Sequence, residues 1–187
     1  MTAEVQTPSI ADLNGTYVLD PAHSQVGFVA RHAMVTKVRG SFNEVTGTAT
    51  IDGANPAGST LTVSIDPASI DTRSEQRDGH LKSPDFFDVE KFPEITFNGT
   101  GFAVSGDIVE VTGDLTIKGV THPVTIPFEF QGAATDPFGN QRIGFEGSVV
   151  VNRKDWDLTW NAALETGGVL VSEKVTLEFE VSAIKQA

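Results

Sequence analysis

Cysteine is absent from all 187 residues. That excludes disulfides, thiolate nucleophiles and cysteine-ligated zinc or iron–sulfur sites. Positive charge is scarce: 13 Lys and Arg stand against 25 Asp and Glu, for a formal charge of -12, and a field of that sign repels a phosphate backbone. Nucleic acid is not an expected partner. Long apolar runs are missing too, since every hydrophobic stretch falls well short of the roughly 18 residues a membrane-spanning helix needs. The opening "MTAEVQTPSIADLNG" has neither the basic nor the apolar region of a secretory leader, so the expected location is cytoplasmic. There is no G-x-S-x-G, no glycine-rich phosphate loop and no H-E-x-x-H. The histidines, His23, His32, His80 and His122, are too scattered for a metal-ligand signature. Neither a cofactor nor a metal is expected.

What the chain has in quantity is alternation. Val26, Phe28 and Ala30 share one parity, as do Leu61, Val63 and Ile65 with Thr60, Thr62 and Ser64 between them; such period-2 runs are strands buried on one side. The pattern continues through Ile95 and Phe97; Val109, Val111, Leu115 and Ile117; Val124, Ile126, Phe128 and Phe130; Ile143, Phe145, Val149 and Val151; and Val175, Leu177, Phe179 and Val181. About eight strands are expected. Their links, such as "VSGD" and "TDPFGNQ", are short and rich in turn formers, which suits antiparallel neighbours; only the 73–92 insert and the stretch after Trp156 are long enough for a parallel crossover. An antiparallel meander follows, closed into a barrel or folded as a sandwich. Residues 1–14 lack periodicity and are expected to be a flexible tail, leaving 15–187 as one domain.

One stretch breaks the alternation, "RSEQRDGHLKSPDFFDVEKFPEITF" at 73–97. Ser74 is placed to cap a short helix that Pro84 ends. Phe86, Phe87 and Phe92 then need apolar surface, which they find by plugging one end of the barrel or by bordering a ligand entrance. Arg73, Arg77, His80 and Lys82 form a basic cluster beside it, able either to attract an anionic head group or to pair with Asp71, Glu75 and Asp78.

These residues also carry a resemblance. "YVLDPAHSQVGFVARH" (17–32), "VRGSF" (38–42), the 69–97 segment, "GDLTIKGVTHPV" (113–124) and "NRKDWDLTWNAALETGGVLVSEKVTLEFE" (152–180) are similar, in order and over nearly the whole chain, to the YceI-like proteins, lipocalin-like polyisoprenoid-binding barrels. The resemblance implies an all-β fold, an extended eight-stranded antiparallel barrel with one short helix and a helical turn inserted, around an apolar tunnel for a prenyl or similar lipid chain. It also suggests a homodimer. Two positions depart from the pattern: Tyr17 stands where Trp is common, and Asp157 where Gly is usual, which leaves the turn after Trp156 open.

The tunnel residues expected on this basis are Val26, Phe28, Phe42, Ile65, Phe97, Leu115, Ile117, Ile126, Phe128, Phe145 and Leu177. Those expected at the mouth are His32, Arg73, Arg77, His80, Phe86, Phe87, Trp156 and Trp160, with Arg153 beside the two tryptophans. His32 continues the parity of Val26, Phe28 and Ala30 and is expected at the inner end of its strand. The leading function is non-enzymatic binding, sequestration or transport of a polyisoprenoid or other long-chain amphiphile. The alternatives are a structural or interaction module whose phenylalanines fill the core, and an isomerase-type enzyme acting on an apolar substrate.

Overall fold

The computed structural model describes residues 8–164 and 167–187. Its strands are β1 (Asn14–Leu19), β2 (Gln25–His32), β3 (Thr36–Phe42), β4 (Val45–Asp52), β5 (Thr60–Ile65), β6 (Ile70–Asp71), β7 (Ile95–Ser105), β8 (Ile108–Ile117), β9 (Val120–Thr135), β10 (Gln141–Asn152) and β11 (Lys174–Lys185). One α-helix, α1 (Glu75–Lys82), lies in the insert. No described helix is long and apolar enough to cross a membrane.

All the pairings are antiparallel, in the order β1-β4-β5-β7-β8-β9-β10-β11, and β1 returns to β11 through Tyr17–Lys185, Val18–Ile184 and Leu19–Ala183. The ring therefore closes with eight strand lines. β2, β3 and β6 prolong β1, β4 and β5 on the far side of sharp bends, so β2 continues along β11 where β1 leaves it. The bends have a chemical cause. Asp-Pro-Ala occurs at 20–22 and again at 66–68; each aspartate accepts the amide two residues on, at 3.0 and 2.9 Å, and each proline starts a 3-10 turn. Closure removes the sheet edges that an open meander would expose, and it decides between the barrel and the sandwich.

Alternation sets which side chains face inward, with one shift. In β7 a bulge between Gly99 and Gly101 takes Thr100 out of register with β8, its hydroxyl donating to the Thr112 carbonyl at 3.2 Å. Inward parity passes there from Phe97 to Phe102 and Val104.

The insert packs as an anchored flap. Ser74 Oγ accepts the Arg77 amide at 3.3 Å and caps α1, none of whose residues is buried. The segment after it does the anchoring, through buried Phe86 and through Phe92, whose ring lies against Gly119.

Of the expected tail, residues 1–7 lie outside the described residues, and residues 8–14 pack on the barrel. Ser9 caps a 3-10 turn at Ile10–Asp12, with its amide and hydroxyl bonded to the Asp12 carboxylate. Ile10 and Leu13 are buried against Tyr17, Phe130 and Ile143. A lone Ile and Leu in a polar segment give no period, which is why the pattern missed them. They pack at the end of the barrel away from α1, where the Gly53 amide donates to the Leu13 carbonyl at 2.8 Å.

Candidate functional site

A cavity of about 320 Å³ lies inside the barrel, bordered by Ile10 and Leu13 at one end and by Phe86, Trp156 and Leu158 at the other. All eleven residues expected in the tunnel border it. The ionisable side chains on its wall are Tyr17, Asp52 and Arg153. Burial raises the Tyr17 hydroxyl above its ordinary pKa.

A barrel of eight strands is narrow enough for side chains alone to fill it, and this one is rich in inward phenylalanine. It stays hollow because the rings lie against the wall. A Cβ added at Gly40 would come within 2.3 Å of the Phe28 ring, at Gly113 within 2.4 Å of Phe97, and at Gly147 and Gly99 within 2.8 Å of Phe128 and Phe102. Each of these rings occupies the space that a side chain on a neighbouring wall position would have taken. Glycine within a strand normally weakens it, and here it marks the place where a ring is laid down.

At the α1 end, three of the expected mouth residues, Phe86, Phe87 and Trp156, border the cavity. The Trp156 indole N–H donates to the Leu115 carbonyl at 2.8 Å, which fixes the ring across the barrel end. Trp160 and His80 stand just outside: the His80 ring meets Trp160 edge-on at 4.6 Å and Phe86 at 5.2 Å, while its Nε2 bonds Asp85 at 2.8 Å. Arg153 is the strut of this end. Only 5 % exposed, its guanidinium donates to the carbonyls of Leu158, Trp160, Ser172 and Val171, at 2.5, 3.0, 2.8 and 3.3 Å. Burial holds its pKa below the ordinary value, with the Glu173 charge opposing the shift. Asp157 closes the turn with φ 60°, the left-handed conformation that the glycine usual there adopts without strain.

The other three expected mouth residues, like His80 and Trp160, do not border the cavity. His32 is exposed and forms a bridge with Val171; its strand outruns the barrel wall, and inward parity means nothing beyond that wall. Arg77 turns away from the opening, donating from Nε to the Thr72 hydroxyl at 2.8 Å, while that hydroxyl donates to Asp78. Arg73 is exposed at a left-handed residue, φ 65°, with its amide bonded to Asp71. Of the basic cluster, Arg77 is thus tied into its own loop by hydrogen bonds and His80 is held by Asp85, and among the described residues no ion pair joins the cluster to Asp71, Glu75 or Asp78.

Among the wall residues that the pattern missed, Phe102 and Val104 lie beyond a bulge whose sequence signal is Gly99-Thr100-Gly101. Ile10 and Leu13 come from the supposed tail, and Leu158 and Val171 from a loop held by Arg153. None of those four carries a periodic signal.

A closed antiparallel barrel around one long apolar cavity, with a flap across one end, is a lipocalin-like architecture. The chain belongs to the YceI-like family, whose domain pattern it matches over residues 17–183. A UPF0312 protein of Staphylococcus aureus strain MSSA476 is 41% identical over 170 residues, covering 89% of this chain and 95% of the relative. Among solved structures, Burkholderia cenocepacia BcnA superposes with a TM-score of 0.77 at 25% identity, covering 88% of this chain and 98% of that one. A Campylobacter jejuni YCEI protein gives a TM-score of 0.71 at 29% identity, covering 84% and 90%. A polyisoprenoid-binding domain from Saccharophagus degradans shares the fold, with a TM-score of 0.70 at 19% identity over 91% of this chain and 98% of that one.

Proposed function

We propose that this protein binds a polyisoprenoid or a similar long-chain amphiphile inside the barrel and sequesters or transports it without chemical change. The observation that carries this reading is the cavity itself, which runs from Ile10 to Trp156 between walls of aliphatic and aromatic side chains. Burial of about fifteen prenyl carbons contributes on the order of 10 kcal/mol at roughly 0.8 kcal/mol per methylene. Chain ordering and lost translation cost several kcal/mol of that. Micromolar or tighter binding follows without a single directional bond. Specificity then comes from cavity length and from whatever polar groups meet the head.

The printed description of the Saccharophagus degradans domain as polyisoprenoid-binding agrees with this reading. A filled-core module is disfavoured by the rings that lie over Gly40, Gly99, Gly113 and Gly147. An isomerase using His32 is disfavoured by that residue's exposure outside the cavity. Native mass spectrometry of the purified protein, before and after incubation with prenyl quinones and prenyl phosphates, tests the proposal. A mass shift matching one lipid per chain is expected. A barrel that leaves cells empty and takes up none of them would refute it.

A further inference from the structure

The barrel wall has one seam along which two neighbouring strand lines part. β1 pairs with β4 from Asn14–Asp52 to Val18–Thr48, and β2 pairs with β3 from Val26–Phe42 to His32–Thr36. Between those ladders, 19–25 and 43–47 do not pair with each other. Each line remains held from its other side. Ser24 exchanges two hydrogen bonds with the Ser182 backbone on β11, at 3.0 and 3.1 Å, and Asn43 and Glu44 donate to Ser69 at 3.2 and 3.0 Å. The parting is therefore fixed in place by the wall on both sides.

A second cavity of about 250 Å³ fills this seam. Its polar lining is Ser24, Gln25, Ser41 and Asn43, and it has no charged residue. Leu19, Val26 and Phe42 border both it and the main cavity, so these three apolar side chains stand between the two. Val26 is buried, whereas Leu19 and Phe42 are only half-buried. Among the described residues, the amide nitrogen of the Asn43 side chain and the Gln25 side chain, both on exposed residues, have no protein hydrogen-bond partner, while the Asn43 side-chain oxygen accepts from Ser41 at 3.3 Å. Both ends of the main cavity, by contrast, are packed with the buried side chains of Ile10, Leu13, Phe86, Trp156 and Leu158.

We infer that the seam is the head-group site of the barrel: it seats a neutral, hydrogen-bonding head such as a hydroxyl or a quinone ring, while the attached chain passes Leu19, Val26 and Phe42 into the main cavity. The site rests on the carrier reading above and adds the class of head group. Neutrality follows from the lining. Amide and hydroxyl groups can both give and receive hydrogen bonds, no cation is there to meet a phosphate, and the nearest charges along the chain, Asp20 and Glu44, are acidic. Asp20 is already engaged by Arg142 and His23. Phe42 is the natural gate, because its ring touches both Phe28 on the wall and Phe87 of the flap, each at 5.8 Å between centroids.

Two probes separate head from chain: diphenylhexatriene, a fluorescent hydrocarbon without a polar head, and a prenyl quinone that competes with it. Asn43→Trp fills the exposed side of the seam, and Lys82→Trp introduces the same side chain at the C-terminal end of α1. Asn43→Trp is expected to weaken prenyl quinone binding about tenfold, which is 1.4 kcal/mol, and to leave diphenylhexatriene binding unchanged. Lys82→Trp is expected to alter neither. Ser41→Ala, which removes a hydroxyl and adds no bulk, should weaken the quinone in the same selective way if the tryptophan disturbs folding. Quinone affinity unchanged in both seam variants, or lost instead in Lys82→Trp, overturns the head-group site and leaves the carrier reading standing. Failure of both probes to bind the parent protein sinks the carrier reading and this inference with it, whereas failure of the quinone alone sinks only the head-group site.

Discussion

Replacing Gly40 by alanine tests directly why the barrel is hollow. Gly40 lies opposite Phe28 across the β2–β3 ladder, and all three heavy atoms nearest to an added Cβ belong to the Phe28 ring, at 2.3, 2.7 and 2.9 Å. Ordinary contact begins at 3.4 Å, so the ring tip must retreat by about 1 Å. The wall lies behind Gly40, and the only direction left is toward the barrel axis. Overpacking of this kind costs roughly 1–3 kcal/mol, and replacing a strand glycine returns about 0.5–1 kcal/mol. The net loss should be about 1–2 kcal/mol, which for a chain of this size lowers the melting temperature by roughly 2–8 °C. The intruding ring also displaces one or two methylenes of a bound chain, weakening binding about 4- to 15-fold at roughly 0.8 kcal/mol each. Calorimetric melting and diphenylhexatriene titration measure both effects. The decisive arm is the cycle with Phe28→Leu, which removes the outer ring atoms: in that background Gly40→Ala should cost little, a coupling of about 1 kcal/mol or more. If Gly40→Ala is equally costly with and without the Phe28 ring, or if it leaves binding untouched, rings held flat by glycine are not what keeps the cavity open.

Arg153→Met should leave four loop carbonyls without their donor, costing about 2–4 kcal/mol in urea denaturation and opening residues 157–164 and 167–172 to limited proteolysis; an unchanged cleavage pattern would show that these segments hold themselves. Asp157→Gly relieves a left-handed residue at φ 60°, and the gain, reduced by glycine's larger unfolded-state entropy, should be a few tenths to about 1 kcal/mol, read as a small rise in melting temperature. Arg142 bonds both Asp20 and Asp136, at 2.6 and 2.7 Å, and holds both carboxyls below their ordinary value of 3.8. Depressed folded-state values mean that this stabilisation is complete above the ordinary carboxylate range and is lost as pH falls through it and below. Melting temperature followed downward from neutral pH should therefore drop less steeply below about pH 4 for Arg142→Gln than for the parent; parallel curves would contradict the assignment.

The strands were legible because a residue with one wet and one dry face must alternate, and Leu61 to Ile65 or Val175 to Val181 can do little else. Closure was not legible from alternation, because a barrel and a sandwich ask the same pattern of each strand; it depends on Leu19 meeting Ala183 across the whole length of the chain. The wall residues followed wherever parity held, and failed where the backbone spends an extra residue, as at Gly99–Gly101, or where the strand leaves the wall, as at His32. Hollowness was the least legible property, since inward phenylalanine reads the same in a filled core as in a lined cavity. The difference lies in the partner across the ladder. Phe28 faces Gly40 and Phe128 faces Gly147, and a large ring opposite no side chain can lie flat, whereas a ring opposite another large side chain must stand toward the axis. In a closed antiparallel sheet, inward phenylalanines set against cross-strand glycines are thus a sequence-level sign of a cavity, readable once the register is known, and the loss of those glycines should accompany a core that has filled.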